Sequence, residues 1–182
     1  MVMDASIAKP ESSQVPVANR LTVLAVLVAV FTSLVFVSTY IFFVPIPATR
    51  GIFNFGDIMI FIAALTFGPL VGGLAGGLGS ALADTLAAPL YAPYTLMIKG
   101  MEGWIAGYMS KGGSRKRDLI AWLCASPVMV VGYFVVQSFF IAGVVAVAEI
   151  PFNILQVAAG GIVGVPVSRK LRGLIPASMG RM

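Results

Sequence analysis

The chain has 182 residues, of which 59% are hydrophobic and 10% charged, and its formal net charge is +5. A soluble domain is usually about a quarter charged, so this composition excludes an ordinary water-soluble protein and predicts one embedded in lipid. The absence of histidine excludes histidine-ligated metals and histidine general bases. The basic residues lie at the ends of apolar segments rather than on one face, which argues against nucleic-acid binding.

Six apolar segments are predicted to be transmembrane helices. A span needs about 20 mostly apolar residues, and fewer where protein covers part of the helix. In chain order the predicted spans are 21–44, 56–67, 69–88, 95–109, 119–145 and 149–167. We therefore expect an all-α membrane protein, a six-transmembrane-helix bundle over residues 21–168, with tails at 1–20 and 169–182. The single cysteine, Cys124, lies in an apolar run and is expected to be a small buried hydrophobe.

The basic residues assign an orientation to this bundle. Ten of the 12 lysines and arginines fall before span one, between spans four and five, or after span six; the exceptions are Arg50 and Lys99. All ten lie at one end of a six-span bundle, and membrane proteins carry their excess lysine and arginine on the cytoplasmic side. We therefore expect a multi-pass protein of the plasma (inner) membrane with both termini in the cytoplasm.

Nearly all ionisable and amide side chains within the spans fall in their outer halves. Asp84, for example, lies 15 residues after Pro69, which is about 22 Å along a helix. The other members are Lys99 and Glu102 on span four, Tyr133 and Gln137 on span five, and Glu149, Asn153 and Gln156 on one face of span six. Charged groups are costly in a bilayer and face a bundle interior or a wet cavity. This convergence predicts an outward-facing pocket for a small polar molecule.

A purely structural interpretation of the same residues remains open. Lys99 and Glu102 are three residues apart on span four, where they could form an ion pair. Glu149 could be a solvated acid at a helix start, where the helix dipole favours a negative charge.

Two outer loops are predicted to close the mouth of the pocket. The loop PIPATRGIFNFGD precedes span two, and as a lid it would offer Phe53 to stack on a ring and Asn54 to hydrogen-bond a ligand. The alternative for this loop is a plain tight connector. Tyr91, in the loop LYAPYT before span four, is either an interfacial anchor or part of the pocket wall.

The glycine-rich third span, GPLVGGLAGGLGSALADTLA, is predicted to be a packing surface. Gly68, Gly72, Gly76 and Ser80 lie four residues apart, and Asp84 completes the row. In lipid, small residues allow helix backbones to approach closely. The sequence leaves open whether Asp84 contacts a ligand or only anchors the loop that follows it.

The motifs that would power or catalyse a reaction are absent. There is no G-x-x-x-x-G-K-[ST] loop, and GGLAGGLG lies within an apolar span rather than between a strand and a helix. We therefore expect neither an enzyme nor a bound cofactor or metal, and energy for transport would come from another subunit. Ala25 and Ala29 on span one form a small-xxx-small pair where such a subunit could pack.

Residues 53–110, FNFGDIMIFIAALTFGPLVGGLAGGLGSALADTLAAPLYAPYTLMIKGMEGWIAGYMS, resemble the membrane-embedded substrate-binding (S) components of energy-coupling factor (ECF) vitamin transporters. The order GD, FGP turn, glycine-rich helix ending in ALAD, YAP and KG-x-E-G is typical of the riboflavin-transporter-like branch. The stretch EIPFNILQVAAGGIVGVPV resembles the last helix of that branch.

This resemblance implies a six-helix bundle that binds a vitamin or its precursor from outside, as part of an ABC importer. It implies partnership with a transmembrane T subunit, which Ala25 and Ala29 would contact, and with two cytoplasmic ATPases. It also implies that the loop between helices one and two covers the site, that helices four to six line it, and that the whole S component topples during transport.

The choice of substrate does not carry over, since similar scaffolds take riboflavin, pyridoxine-like compounds, thiamine precursors or pantothenate. The alternative function is a stand-alone proton-coupled secondary transporter or facilitator that uses Glu149 or Asp84 as its proton site. A third reading, a metal-dependent lipid-modifying enzyme, requires acids near the cytoplasmic headgroups, whereas these acids are predicted to lie at the outer end.

Overall fold

The computed structural model of this chain describes residues 17–46, 51–111, 113–141 and 143–175. Within these ranges the protein is a bundle of α-helices with one short hairpin. The helices are α1 Val17–Ile41, α2 Gly56–Phe67, α3 Pro69–Ala87, α4 Ala92–Met109, α5 Arg115–Val136 and α6 Ile150–Leu174. Two-residue strands, β1 Val44–Pro45 and β2 Ile52–Phe53, pair antiparallel between α1 and α2. A π-helical turn, Gln137–Ile141, and a 3₁₀ helix, Gly143–Glu149, lie between α5 and α6.

Among the residues that the structure describes, four helical stretches are long and apolar enough to cross a membrane: Arg20–Ile41, Pro69–Ala87, Arg115–Ile141 and Gly143–Leu174. The helix α2 is apolar but has only 12 residues, and most of them are buried by the other helices. On α3, leucines at 70, 74, 78, 82 and 86 form an exposed stripe that suits lipid rather than water. The count of six spans and the orientation stay predictions.

Several helix bounds differ from those predicted. The helix α4 begins at Ala92, three residues early, because Pro93 is well suited to the first turn of a helix. The helix α6 continues to Leu174, so the basic residues expected in a tail extend its last turns. The helix α1 begins at Val17, within the segment expected to be a tail. Lys9 and Arg181, two of the ten basic residues used to assign the orientation, lie outside the described residues, and so does Arg50, one of the two exceptions.

Glycine makes the contact between α3 and α4 a contact of backbones. A Cβ atom on Gly103 would overlap the carbonyl of Gly72, and one on Gly76 would lie 2.8 Å from the carbonyl oxygen of Lys99. Gly79, on another face of α3, packs against α1, where a Cβ atom would lie 2.7 Å from the carbonyl oxygen of Thr32. The glycines of α3 therefore serve two neighbouring helices, and any side chain there would push those helices apart.

The prediction for Cys124 is wrong, because the residue is exposed. It lies on α5 beside Leu123, whose side chain is 59% exposed, on the outer surface of the bundle. An apolar run in a membrane protein covers both core and lipid-facing positions, so apolar neighbours do not indicate burial.

We expect Gly103→Ala to destabilise the protein by about 1–3 kcal/mol, the usual cost of overpacking, because the new methyl group meets backbone that cannot rotate away. The matched control is Gly100→Ala, one turn earlier on α4, where the nearest atoms would be 3.6 and 3.8 Å away. Thermal melting in detergent should show a lower midpoint for Gly103→Ala alone. A midpoint at or above that of the wild type would contradict the proposed backbone contact.

Candidate functional site

A small cavity lies at the end of the bundle that carries the hairpin, between residues 51–54 and the helices α3 to α6. Eight of the predicted site residues line it: Asn54, Asp84, Tyr91, Tyr133, Gln137, Glu149, Asn153 and Gln156. Its free volume is about 30 Å³, which is room for about one water molecule. Polar side chains from the helices α3, α5 and α6, from the loop before α2, and from the non-α segments before α4 and α6 thus meet at a single point, largely filled by the side chains themselves.

Three further residues line the cavity without having been predicted: Gly51, Ile52 and Met129. Gly51 lies directly over Glu149, and a Cβ atom there would overlap the Glu149 carboxylate. The spacing of Met129, four residues before Tyr133 on α5, could have placed it on the same helix face. It was missed because an apolar side chain in a membrane helix carries no signal of its own.

Gln137 and Glu149 connect the two ends of the segment between α5 and α6. The Nε2 atom of Gln137 donates a hydrogen bond to Oε2 of Glu149, and both residues are buried. Within the described part of the chain, Oε1 of Gln137 accepts no hydrogen bond and Nδ2 of Asn153 donates none. Buried polar atoms are nearly always paired, so one unmet acceptor and one unmet donor around the same cavity require an explanation.

The loop over the cavity is held by a chain of hydrogen bonds. The backbone N–H of Asn54 donates to Oε1 of Gln156 at 3.1 Å, and Nε2 of Gln156 donates to Oδ1 of Asp57 at 3.3 Å. The Asn54 side chain accepts from the backbone N–H of Gly56 at 2.8 Å, at the start of α2. The oxygen of this side chain therefore supports the local turn, which differs from the predicted contact with a ligand.

Lys99 and Glu102 lie behind the cavity rather than among its lining residues. The Lys99 ammonium donates to Oδ1 of Asp57 and, at 3.0 Å, to Oε2 of Glu102. These three side chains are at most 3% exposed. Buried charges are tolerated when they are paired, so the cluster forms the base of the site by joining α2 to α4.

Asp84 and Tyr133 connect this base to the cavity. The hydroxyl of Thr95 hydrogen-bonds with the carboxylate of Asp84 and lies 2.9 Å from the hydroxyl of Tyr133. The Lys99 ammonium lies 5.8 Å from the centre of the Tyr133 ring. Asp84 thus ties the first turns of α4 to α3, and it also lines the cavity. The two alternatives left open for Asp84, a tether and a cavity residue, are geometrically compatible.

The aromatic residues of the two loops have different positions. Phe53 lies outside the set of cavity-lining residues and packs edge-on against Phe55, with ring centres 5.3 Å apart. Phe55 in turn packs against Phe42, at 5.6 Å. Tyr91 is 4% exposed and lines the cavity, which is the position of a wall residue rather than of an interfacial anchor.

We expect Lys99→Met to destabilise the protein by about 3–5 kcal/mol, because Asp57 and Glu102 would remain buried without their cation. The matched control is Lys111→Met, which removes the same charge from an exposed position. Adding Asp57→Asn to Lys99→Met should recover part of the loss. Equal melting midpoints for Lys99→Met and the control would show that the cluster does not support the fold.

Comparison with known proteins identifies the scaffold. The family model for the ECF-type riboflavin transporter, S component, matches residues 20–173. A Pyrococcus woesei protein, described as an uncharacterized protein in the gap 3′ region, is 48% identical over 129 residues, covering 70% of this chain and 87% of that protein. A solved structure, described as the S component of a bacterial ECF transporter, matches with a TM-score of 0.65 and 23% identity, covering 86% of this chain and 97% of that one.

At this identity the solved structure shows the fold, and the family model shows the family. This chain belongs to the family of ECF-type riboflavin transporter S components, which are multi-pass membrane proteins that serve transport.

Proposed function

We propose that this protein captures a B-type vitamin or its precursor at the cavity between residues 51–54 and the helices α3 to α6. The ligand is riboflavin, a pyridoxine-like compound or a thiamine-precursor-like compound, taken from outside the cell. The observation that carries the proposal is the pair of unmet hydrogen-bonding atoms, Oε1 of Gln137 and Nδ2 of Asn153, on two residues that line one cavity. A heterocycle with a donor and an acceptor on its edge would satisfy both.

Ligand entry requires the loop and the Gln137–Glu149 contact to rearrange. A pocket for a small organic molecule measures about 300–1,000 Å³, whereas the free volume here is about 30 Å³. The movable parts are the hairpin, whose strands have two residues each, and the non-α segments that carry Gln137 and Glu149. The base formed by Lys99 stays in place, since it lies between two helices.

The direct test is to identify the ligand. Protein purified in detergent would be analysed by native mass spectrometry and by extraction of bound small molecules. We expect a heteroaromatic vitamin or precursor to co-purify, and calorimetry with the same compound to give saturable binding. A preparation that binds no member of a panel of riboflavin, pyridoxine and thiamine precursors would contradict the proposal.

A second candidate function rests on the two carboxylates that line the cavity, Asp84 and Glu149. Acids in this position could carry protons in a stand-alone secondary transporter. Liposomes that contain this chain alone, with a proton gradient and no ATP, distinguish the two functions. Accumulation of solute under those conditions would favour the secondary transporter, whereas an S component requires its T subunit and ATPases.

We expect Glu149→Ala and Asn153→Ala each to weaken vitamin binding at least tenfold, which is about 1.4 kcal/mol. The first change removes a carboxylate from the cavity, and the second removes the unmet donor. The matched control is Phe152→Leu, since Phe152 precedes Asn153 on α6 but is 42% exposed and lies outside the cavity lining. Calorimetric titration would measure all three variants. Unchanged affinity for both alanine variants would remove α6 from the proposed site.

The proposed partners are a T subunit and two ATPases, with α1 as the docking helix. Ala25 and Ala29 are both exposed on the same face of α1, which packs against α2 and α3 with other residues. Two small residues four positions apart leave a shallow groove that a partner helix can enter. This geometry supports the contact that the family resemblance implies.

We expect Ala25→Leu or Ala29→Leu to abolish transport and leave vitamin binding intact, because the larger side chain fills that groove. The matched controls, Ala25→Ser and Ala29→Ser, keep a small residue and should transport normally. Uptake into cells that express the whole transporter and binding to the isolated subunit give the two readouts. Co-purification of a leucine variant with the T subunit at normal yield would count against this docking surface.

A further inference from the structure

A groove lies between α5 and α6 at the opposite end of the bundle from the cavity. Its volume is about 440 Å³, and its walls include Leu119, Trp122, Ile162 and Val165. Arg115 and Arg169 lie at one end of it. The groove is therefore apolar along its length and basic at its mouth, and the proposed vitamin site uses none of these residues.

On both helices the basic residue and the apolar wall residue of the groove are the same distance apart. Arg115 precedes Trp122 by seven residues on α5, and Ile162 precedes Arg169 by seven residues on the antiparallel helix α6. At 1.5 Å per residue, each arginine lies about 10 Å along its helix from the apolar wall residue. The groove thus runs from the level of the basic helix ends toward the apolar middle of the bundle.

Trp122 presents an apolar surface to this groove because its polar atom is already paired. The indole Nε1 donates to the backbone carbonyl of Val157 at 2.8 Å. The ring also lies against Gly161, where a Cβ atom would overlap it. This side chain is fixed in position and has no donor left for a polar ligand, so its neighbour in the groove should be a hydrocarbon.

The mouth of the groove has an excess of positive charge. The buried carboxylate of Asp118 accepts a hydrogen bond from Arg172 and lies 3.6 Å from a guanidinium nitrogen of Arg169. One carboxylate therefore faces two guanidinium groups, and Arg115 adds a third from the start of α5. The Arg169 side chain is 40% exposed and remains accessible to a further anion.

We propose that this groove is a binding site for an anionic phospholipid. The phosphate lies between Arg115 and Arg169, since a guanidinium pairs well with phosphate oxygens, and one acyl chain lies along Trp122 and Ile162. Basic pockets between membrane helices are suited to anionic headgroups. Lipid is the natural occupant, because the protein is embedded in it and because an apolar channel ending in cations complements a phospholipid in both shape and charge.

The bound lipid would connect α5 to α6. These two helices contact each other less extensively than α3 and α4 do. At the other end of the bundle, next to the cavity, Gln137 directly follows α5 and Glu149 directly precedes α6. The lipid site therefore lies on the part of the bundle that must rearrange when a vitamin enters.

Tryptophan fluorescence tests the proposal, because the chain has two tryptophans and one of them can be removed. In a Trp104→Phe background, Trp122 is the only emitter, and it would be titrated with brominated phosphatidylglycerol or brominated phosphatidylcholine in mixed micelles. We expect half-maximal quenching at a mole fraction at least threefold lower for phosphatidylglycerol. Equal quenching by both lipids would overturn the selection of an anionic headgroup. If neither lipid quenched Trp122, the groove would be covered by protein, such as a second copy of the chain. That result would also overturn the proposal.

Matched variants distinguish lipid binding in the groove from a general attraction of anionic lipid to a basic protein surface. In the same background, Arg115→Gln/Arg169→Gln should remove the preference for phosphatidylglycerol. The control Lys116→Gln/Lys170→Gln removes the same amount of charge from the neighbouring positions, which do not line the groove, and should keep the preference. Loss of the preference in both double variants would overturn the proposal, since a diffuse basic surface would then suffice. This readout needs no vitamin or partner subunit and is independent of the proposed transport function.

Discussion

The cavity depends on one buried positive charge, that of Lys99. It lies between Asp57 of α2 and Glu102 of α4, and Asp57 also receives the side chain of Gln156 from α6. Gln156 in turn holds the backbone of Asn54 in the loop over the cavity. A charge that does not line the cavity therefore sets the relative positions of three helices and one loop. In a low-dielectric interior such a network is stable only as a whole, because removal of one member leaves others buried and unpaired.

The helices and the convergence of polar residues could be predicted from the sequence, because a membrane forces polar side chains inward and the helical period shows which of them share a face. Depth alone, however, does not separate residues that line a cavity from those that lie behind it, which is why Lys99 and Glu102 were grouped with Glu149. The direction of Phe53 depends on the conformation of a loop, which has no periodic pattern. Cys124 was misplaced because lipid-facing and core positions are equally apolar in such a chain.

The bundle has a tight half and an adaptable half. Glycine brings the backbones of α3 and α4 into contact, with Gly72 against Gly103, and such a contact cannot slide without a clash. The helices α5 and α6 meet through side chains, and the segment between them is a π-helical turn followed by a 3₁₀ helix. Departures from α geometry of this kind often mark functional sites. The cavity lies between the two halves, so one wall keeps its shape while the other can adjust to a ligand.

In the proposed vitamin site, the hydrogen bond between Gln137 and Glu149 would compete with the ligand for the Glu149 carboxylate. The amide of Gln137 already occupies the carboxylate of Glu149, and Gly51 lies over the same group. A ligand that needs this carboxylate must displace an internal partner whose effective concentration is high and constant. The apparent association constant is then the intrinsic constant multiplied by the fraction of molecules in which the internal contact is open. At the proposed site, ligands that match only part of the cavity would not displace the Gln137 side chain, so this contact would set a minimum affinity that a ligand must exceed.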